Sequence, residues 1–279
     1  MQPFLRALEP TIGPYLDTLD LQRRYGIGEE FFFDRAFVAN TLRSRGALIG
    51  LPPVQVAQRI LAGIAGVWIV YRISTPEGED EQNAEPLTFD KCRINVSLLR
   101  IRPFEFLSDI DHLAPRFIYE FTTGDGMQRA EGYLFPVGGK INFLGRLTRG
   151  DVGALVSFNW PEDDGWATGQ GTPAGEKRGL AFSANARTQR VAFYFLAQFV
   201  PGSVVPDETN FDIFVSVLKT AVGQYDIASL QSSIRGSINM ACQSIASGQC
   251  LGLEVQVPSD DRLEELFSIS QRDLVFRQR

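Results

Sequence analysis

The stretch Gly63–Ser74, GIAGVWIVYRIS, decides how the middle of the chain is read. Apolar residues recur at helical spacing from Val54 to Ile64, after Pro52-Pro53. Proline suits a helix start because the N–H it lacks would be unpaired there anyway. From Val67 the period changes to two, with Val67, Ile69, Tyr71 and Ile73 alternating with Trp68, Val70 and Arg72. Such alternation sends successive side chains to opposite faces of a strand. Gly66-Val67-Trp68 therefore stands where a helical run gives way to a strand.

The same period continues to about Val200. Cys92, Ile94, Val96 and Leu98 alternate with Arg93, Asn95 and Ser97; Phe117, Tyr119 and Phe121 alternate with Arg116 and Glu120. Further runs are Tyr133–Val137, Ile141–Leu147, Val152–Phe158, Leu180–Ala184 and Val191–Phe199. Between them lie Thr123-Gly124-Asp125-Gly126, Gly138-Gly139, Arg149-Gly150-Asp151 and Arg187-Thr188-Gln189. Asp-Gly and Gly-Gly supply the positive φ of tight hairpins. Hairpin links make neighbours antiparallel, and about eight such strands can close around one small ligand. The expected fold class is α+β: a central antiparallel β-barrel, or a strongly curved sheet, of about eight strands between N- and C-terminal helices. The expected divisions are a helical segment at 1–64, the β domain at 65–203 and a helical appendage at 204–279. In the last, Phe211, Phe214, Val215 and Leu218 share one helix face, Ser229–Ser247 reads as a weaker helix, and Asp260–Phe267 as an acidic one within a partner-binding tail.

Charge and cysteines narrow the function classes. A net charge of −6 argues against a non-specific nucleic-acid surface, which needs a basic patch to displace counterions. Arg93, Arg100, Arg102 and Arg116 lie close in sequence and read as a solvated strand face. The three cysteines, Cys92, Cys242 and Cys250, form neither a CxxC pair nor a disulfide framework. With no apolar core of signal-peptide length in MQPFLRALEPTIGPYLD and no run long enough for a membrane helix, a cytoplasmic setting is expected. The 21 phenylalanines fall mostly between Phe89 and Phe214, where they suit strand cores or an aromatic-lined pocket.

With the strands placed, Gly66-Val67-Trp68 resembles the Gly-x-Trp that opens the first strand of calycin barrels, the lipocalins and their relatives. The resemblance covers about residues 51–200: the run Val54–Ile64 takes the place of the preceding helical turn. It implies that Trp68 closes the barrel floor and that Arg190, on the eighth strand, stacks on its indole. It also implies a lumen for a small apolar or amphipathic ligand; alternation leaves the inward face open, and candidate lining residues drawn from both faces are Arg72, Tyr119, Phe143 and Phe193. The terminal helices and the Gly-rich insertion Gly165–Gly179 are foreign to small calycins. That long connection reads as a lid at the barrel mouth.

Residues for catalysis are sparse. The lone histidine, His112, lies in Ser108–Leu113 beside Asp109 and Asp111, with no Gly-x-Ser-x-Gly elbow in the chain, and reads as a loop residue. One histidine and three scattered cysteines make no usual metal set, and no cofactor is implied. Gly175-Glu176-Lys177-Arg178 leads into a strand, unlike a phosphate loop opening a helix. Glu162-Asp163-Asp164 and Glu29-Glu30 read as solvated carboxylates.

Two readings follow. The first is a non-catalytic sensor or interaction protein of regulatory type, with a ligand in the barrel and with partner or self-association through the terminal helices. The second is a His-independent enzyme acting on a phosphorylated or nucleotide-like substrate, with Arg100, Arg102 and Arg116 as its anion clamp.

Overall fold

The computed structural model describes residues 64–74, 88–101, 116–123, 126–137, 140–147, 155–161, 175–184, 190–201, 203, 208–244 and 255–274. Outside them lie residues 1–63 of the segment expected to be helical, Arg102, the Ser108–Leu113 stretch with His112, Cys250 and most of the Gly-rich insertion.

The nine-stranded antiparallel sheet among the described residues comprises β1 (Gly66–Ile73), β2 (Arg93–Ile101), β3 (Arg116–Thr123), β4 (Gly126–Val137), β5 (Lys140–Leu147), β6 (Leu155–Pro161), β7 (Glu176–Ala184), β8 (Arg190–Phe199) and β9 (Gly223–Asp226). Three helices follow: α1 (Glu208–Lys219), α2 (Ile227–Ser244) and α3 (Asp260–Leu274). None of the described helices is long and apolar enough to cross a membrane. The α+β class and the strands at the alternating runs match the sequence reading. Details differ: β4 already begins at Gly126, β6 runs on to Pro161, β7 already includes Glu176–Gly179, and β9, only four residues long, carries no alternation that could announce it.

Each of the first eight strands is antiparallel to its sequence neighbour, and β1 pairs with both β2 and β8. The sheet is nevertheless not closed. β2 pairs with β3 only through Leu98–Ile101, whereas its Arg93–Val96 half pairs with β9. The sheet is thus parted between β2 and β3 beyond Glu120. Thr122 and Asn95 reach across, the Thr122 hydroxyl donating to Asn95 Oδ1 at 3.3 Å.

Two cores lie on the two faces of β1. Outward, Val67, Ile69 and Tyr71 join Ile94, Val96 and Leu98 of β2 and Leu196 of β8. Phe211, Val215 and Leu218 of α1, Leu230, Ile234 and Ile238 of α2, and Leu263 and Leu266 of α3 cover them. The C-terminal helices therefore share the sheet's own core rather than forming an appendage or a loose tail. Apolar residues at three- and four-residue spacing give each helix one face to bury, and the sheet supplies its cover. Ion pairs pin α3 at its rim: Arg178 grips Glu265, and Arg262 reaches Glu176 at 2.6 Å.

Inward, Trp68 and Val70 join Leu99 and Ile101 of β2, Phe117 and Tyr119 of β3, Ala130 and Leu134 of β4, Phe143 of β5, and Phe195 and Ala197 of β8. The Trp68 indole meets Phe199 edge-on at 5.0 Å and donates its N–H to the Ile64 carbonyl at 2.9 Å. The Val67 N–H donates to Ser203 Oγ, tying the strand start to the segment after β8. Gly66 has φ +127°, and a Cβ there would lie 2.7 Å from Phe199 Cε2 and 2.8 Å from Ser203 Oγ. Glycine is required twice over, by backbone conformation and by space.

Gly66→Ala should lower the denaturation midpoint by the equivalent of about 1–3 kcal/mol of strain, and more where Phe199 cannot yield. Trp68→Ala should cost about 3–5 kcal/mol. In a double-mutant cycle on urea stabilities with Phe199→Ala, the aromatic pair should couple by about 0.5–1.5 kcal/mol. Additive losses would mean that the two rings are energetically independent.

Candidate functional site

Every side chain on the inner face follows from strand register. Trp68 lies opposite Leu99, Leu99 opposite Tyr119, and Tyr119 opposite Ala130. A second row runs from Leu134 to Phe143 and Phe158, then through Ala181 to Phe193. Residues paired across a ladder share a face, so the two rows line one surface. Trp68, Tyr119 and Phe143 are buried in one cluster with Phe193 packed against it, and the Arg72 guanidinium lies over the Phe193 ring, 4.9 Å from its centroid. Arg72, Tyr119, Phe143 and Phe193 thus lie on one face of the sheet.

Arg190 is not brought to Trp68. Trp68 pairs with Phe199, the last residue of β8, whereas Arg190 is the first and pairs with Ala184. The two ends of β8 are about 30 Å apart along the strand. The antiparallel ladder thus gives Trp68 an aromatic neighbour, Phe199, in place of the cation that the resemblance implied.

A polar group accompanies Arg72. Arg72 is in register with Asn95, and Val70 with Ser97. The Ser97 hydroxyl lies near the Tyr119 phenol. Burial holds that phenol above its ordinary value, against the opposing pull of the Arg72 charge and the Ser97 hydroxyl. Arg72 Nε is buried and has no hydrogen-bond partner among the described residues. Lys177 is buried at the position opposite Ala197, which is itself opposite Val70, so it belongs to the same face. Sequence alternation had set Asn95 and Ser97 on the polar side of β2. The helices bury the apolar side, so the polar side turns inward and is buried too.

The outer face carries a different cluster. Glu120 is buried between Arg100, 3.2 Å away, and Lys219 of α1, 2.7 Å away. Burial pushes the Arg100 guanidinium below its ordinary value, and Glu120 opposes the shift. Arg116 and Arg129 share Glu131 at 3.1 and 3.2 Å. Arg100 and Arg116 are each engaged by a carboxylate of the chain, and Arg100 is largely buried rather than solvated. Among the described residues no group of His, Cys, Asp and Glu could hold a metal ion.

Glu120→Gln leaves Arg100 buried against an uncharged partner and should destabilise by about 3 kcal/mol, with little relief from added salt, since a buried pair is weakly screened. Alkaline unfolding tests the buried phenols. Tyr71, like Tyr119, is held above its ordinary value chiefly by burial. Their stabilising contribution is full below the unfolded tyrosine value near 10. It falls as pH rises further, because the unfolded chain sheds the proton first. Tyr71→Phe should flatten the decline of urea stability above that pH by about 1.4 kcal/mol per pH unit. An unchanged slope would mean that Tyr71 ionises in the folded protein. Compared with known proteins, the chain matches no family model, no curated protein and no solved structure.

Proposed function

We propose that β1–β8 form a calycin-like barrel whose inner face holds one small apolar or amphipathic molecule, and that the protein is a non-catalytic sensor or interaction protein. The observation that carries this reading is the convergence of Trp68, Phe117, Tyr119, Phe143 and Phe195 on one inward face from strands β1, β3, β5 and β8. Apolar walls with a few placed polar groups are the usual make-up of small-molecule sites. Here the polar groups are Arg72, Asn95, Ser97 and Tyr119. The double pairing of β1 supports closure, and the parting between β2 and β3 gives a ligand a way in.

The same strands connect ligand to output. β1, β2 and β8 carry the inner face on one side and α1–α3 on the other. A molecule that shifts these strands shifts the helix layer. Association with a partner or a second copy then falls to the exposed helix surfaces, where Met240 of α2 is an exposed apolar side chain.

The test uses 1-aminoanthracene, an uncharged aromatic probe, with the full chain. Saturable binding with enhanced probe emission and a raised melting temperature is expected. Ala130→Phe, which fills the inner face, should abolish it while near-UV circular dichroism reports a folded protein. Absence of saturable binding to the folded wild type overturns the reading, as does probe binding that Ala130→Phe leaves unchanged.

A further inference from the structure

α3 is held differently from the two helices before it. α1 buries Phe211, Val215 and Leu218, α2 buries Leu230, Ile234 and Ile238, and these two helices also pack on each other. α3 packs chiefly on β8 and β1. Its buried side chains among the described residues are Leu263 and Leu266, with Phe267 partly covered. The extended lead-in is seated with it: the Tyr71 phenol donates to the Gln256 carbonyl at 3.4 Å, and Val257 packs on the outer core.

Charge fixes which way the helix lies. β7 presents an acid and then a base, Glu176 and Arg178, while α3 presents a base and then an acid, Arg262 and Glu265. Arg178 donates twice to Glu265, and Arg262 reaches Glu176 at 2.6 Å. A reversed helix would set like charges together, so the pairs give direction and specificity. They are partly exposed, however, and salt screens such pairs. Gln198 lies in the register row between Ile69 and Glu176, and its Oε1 is buried with no hydrogen-bond partner among the described residues. An unpaired buried acceptor is costly, and lifting α3 would admit water to that row. The seat of α3 is thus specific in charge and light in hold.

The self-association left open above gains a definite surface from this, and the inference rests on that part of the reading. We propose that residues 255–274 are a releasable strap exchanged between two copies of the chain, α3 of each filling the seat over β1, β7 and β8 of the other. A second copy carries the one helix whose apolar spacing and charges are already matched to the seat. Exchange keeps every contact of the strap and alters only its connection, residues 245–254, which can span at most about 35 Å. Two exchanged straps also close the pair, so assembly stops at a dimer.

Analytical ultracentrifugation of the full chain tests this with two charge-reversed variants. The seat variant carries Glu176→Arg with Arg178→Glu, and the strap variant carries Arg262→Glu with Glu265→Arg. Within either variant strap and seat repel; in an equimolar mixture each strap finds its matching seat on the other variant. The mixture is expected to form a heterodimer at least tenfold tighter than wild type or either variant associates alone. A mixture that associates no more tightly than its components overturns the exchange. Equal association in all four samples leaves self-association through another surface standing, and none in any sample removes self-association as well. A synthetic 255–274 peptide that binds wild type while the mixture stays monomeric gives the seat to a helix of another protein and overturns the second copy. Hydrogen exchange on wild type needs no variant: amides of 260–274 should exchange at least tenfold faster than those of 227–244, and faster still in about 1 M sodium chloride. Equal protection of the two helices overturns the release.

Discussion

β1 is withdrawn from water on both faces, and the rest of the fold is arranged around that fact. Val67, Ile69 and Tyr71 lie under the helices, and Trp68 and Val70 lie inside the curve of the sheet. A strand in that position needs hydrogen-bonded neighbours on both edges as well, since unpaired backbone groups away from water are costly. β2 and β8 supply them, which obliges the sheet to bend back on itself. Gly66 lets the chain enter at that crowded point, where Phe199 and Ser203 leave no room for a side chain. The Val67 N–H bond to Ser203 then holds the end of β8's continuation against the start of β1.

Once both faces are buried, charge has to be sorted between them. The outer face can hold acids because helices and neighbouring strands bring cations to them, as Lys219 and Arg100 do for Glu120 and Arg262 does for Glu176. These pairs fasten α1 and α3 to the strands they cover, adding geometry to the apolar contacts. Among the described residues no helix brings counter-charges to the inner face. Its polar residues are hydroxyls, an amide and a phenol, together with basic groups. Placing each charge according to what can reach it explains why Arg100 and Arg72, on adjacent strands, have such different surroundings.

The strand framework was legible in the sequence because period-two patterning needs only a difference between faces, and the hairpin residues located the turns. What the pattern could not supply was which face turned inward. β1 reads as a nearly continuous apolar run, Val67–Tyr71, which is itself the mark of a strand covered on both sides. In β2 the polar residues Asn95 and Ser97 mimic a solvated face, and only the helix layer over Ile94 and Val96 shows that they are interior. Arg190 was misplaced for a related reason: a stacking partner is chosen by register, and register depends on where β8 ends, which composition does not reveal. The outward Arg100–Glu120–Lys219 cluster joins residues far apart in the chain and leaves no local trace at all.

β9 shows how a short strand sets what the larger sheet can do. Had β3 continued along β2 past Leu98, the ladder between them would run the full height of β2. Instead β9 takes the edge of Arg93–Val96 and leads directly into α2, whose apolar face is committed to the outer core. The parting beside Asn95 is therefore coupled to the helix layer through one four-residue strand: moving β9 aside to widen the gap would strain the anchorage of α2, and settling α2 would draw β9 back. The Gln224 amide contact with Ser74 and the Arg93–Asp226 pair, 3.2 Å apart, tie that strand to the end of β1 and to β2, but both are small polar contacts at the rim. An exposed pair such as Arg93–Asp226 holds only weakly, so β9 is held chiefly by its ladder to β2 and by Tyr225 against the outer core, and it borders the only described break in the β2–β3 ladder.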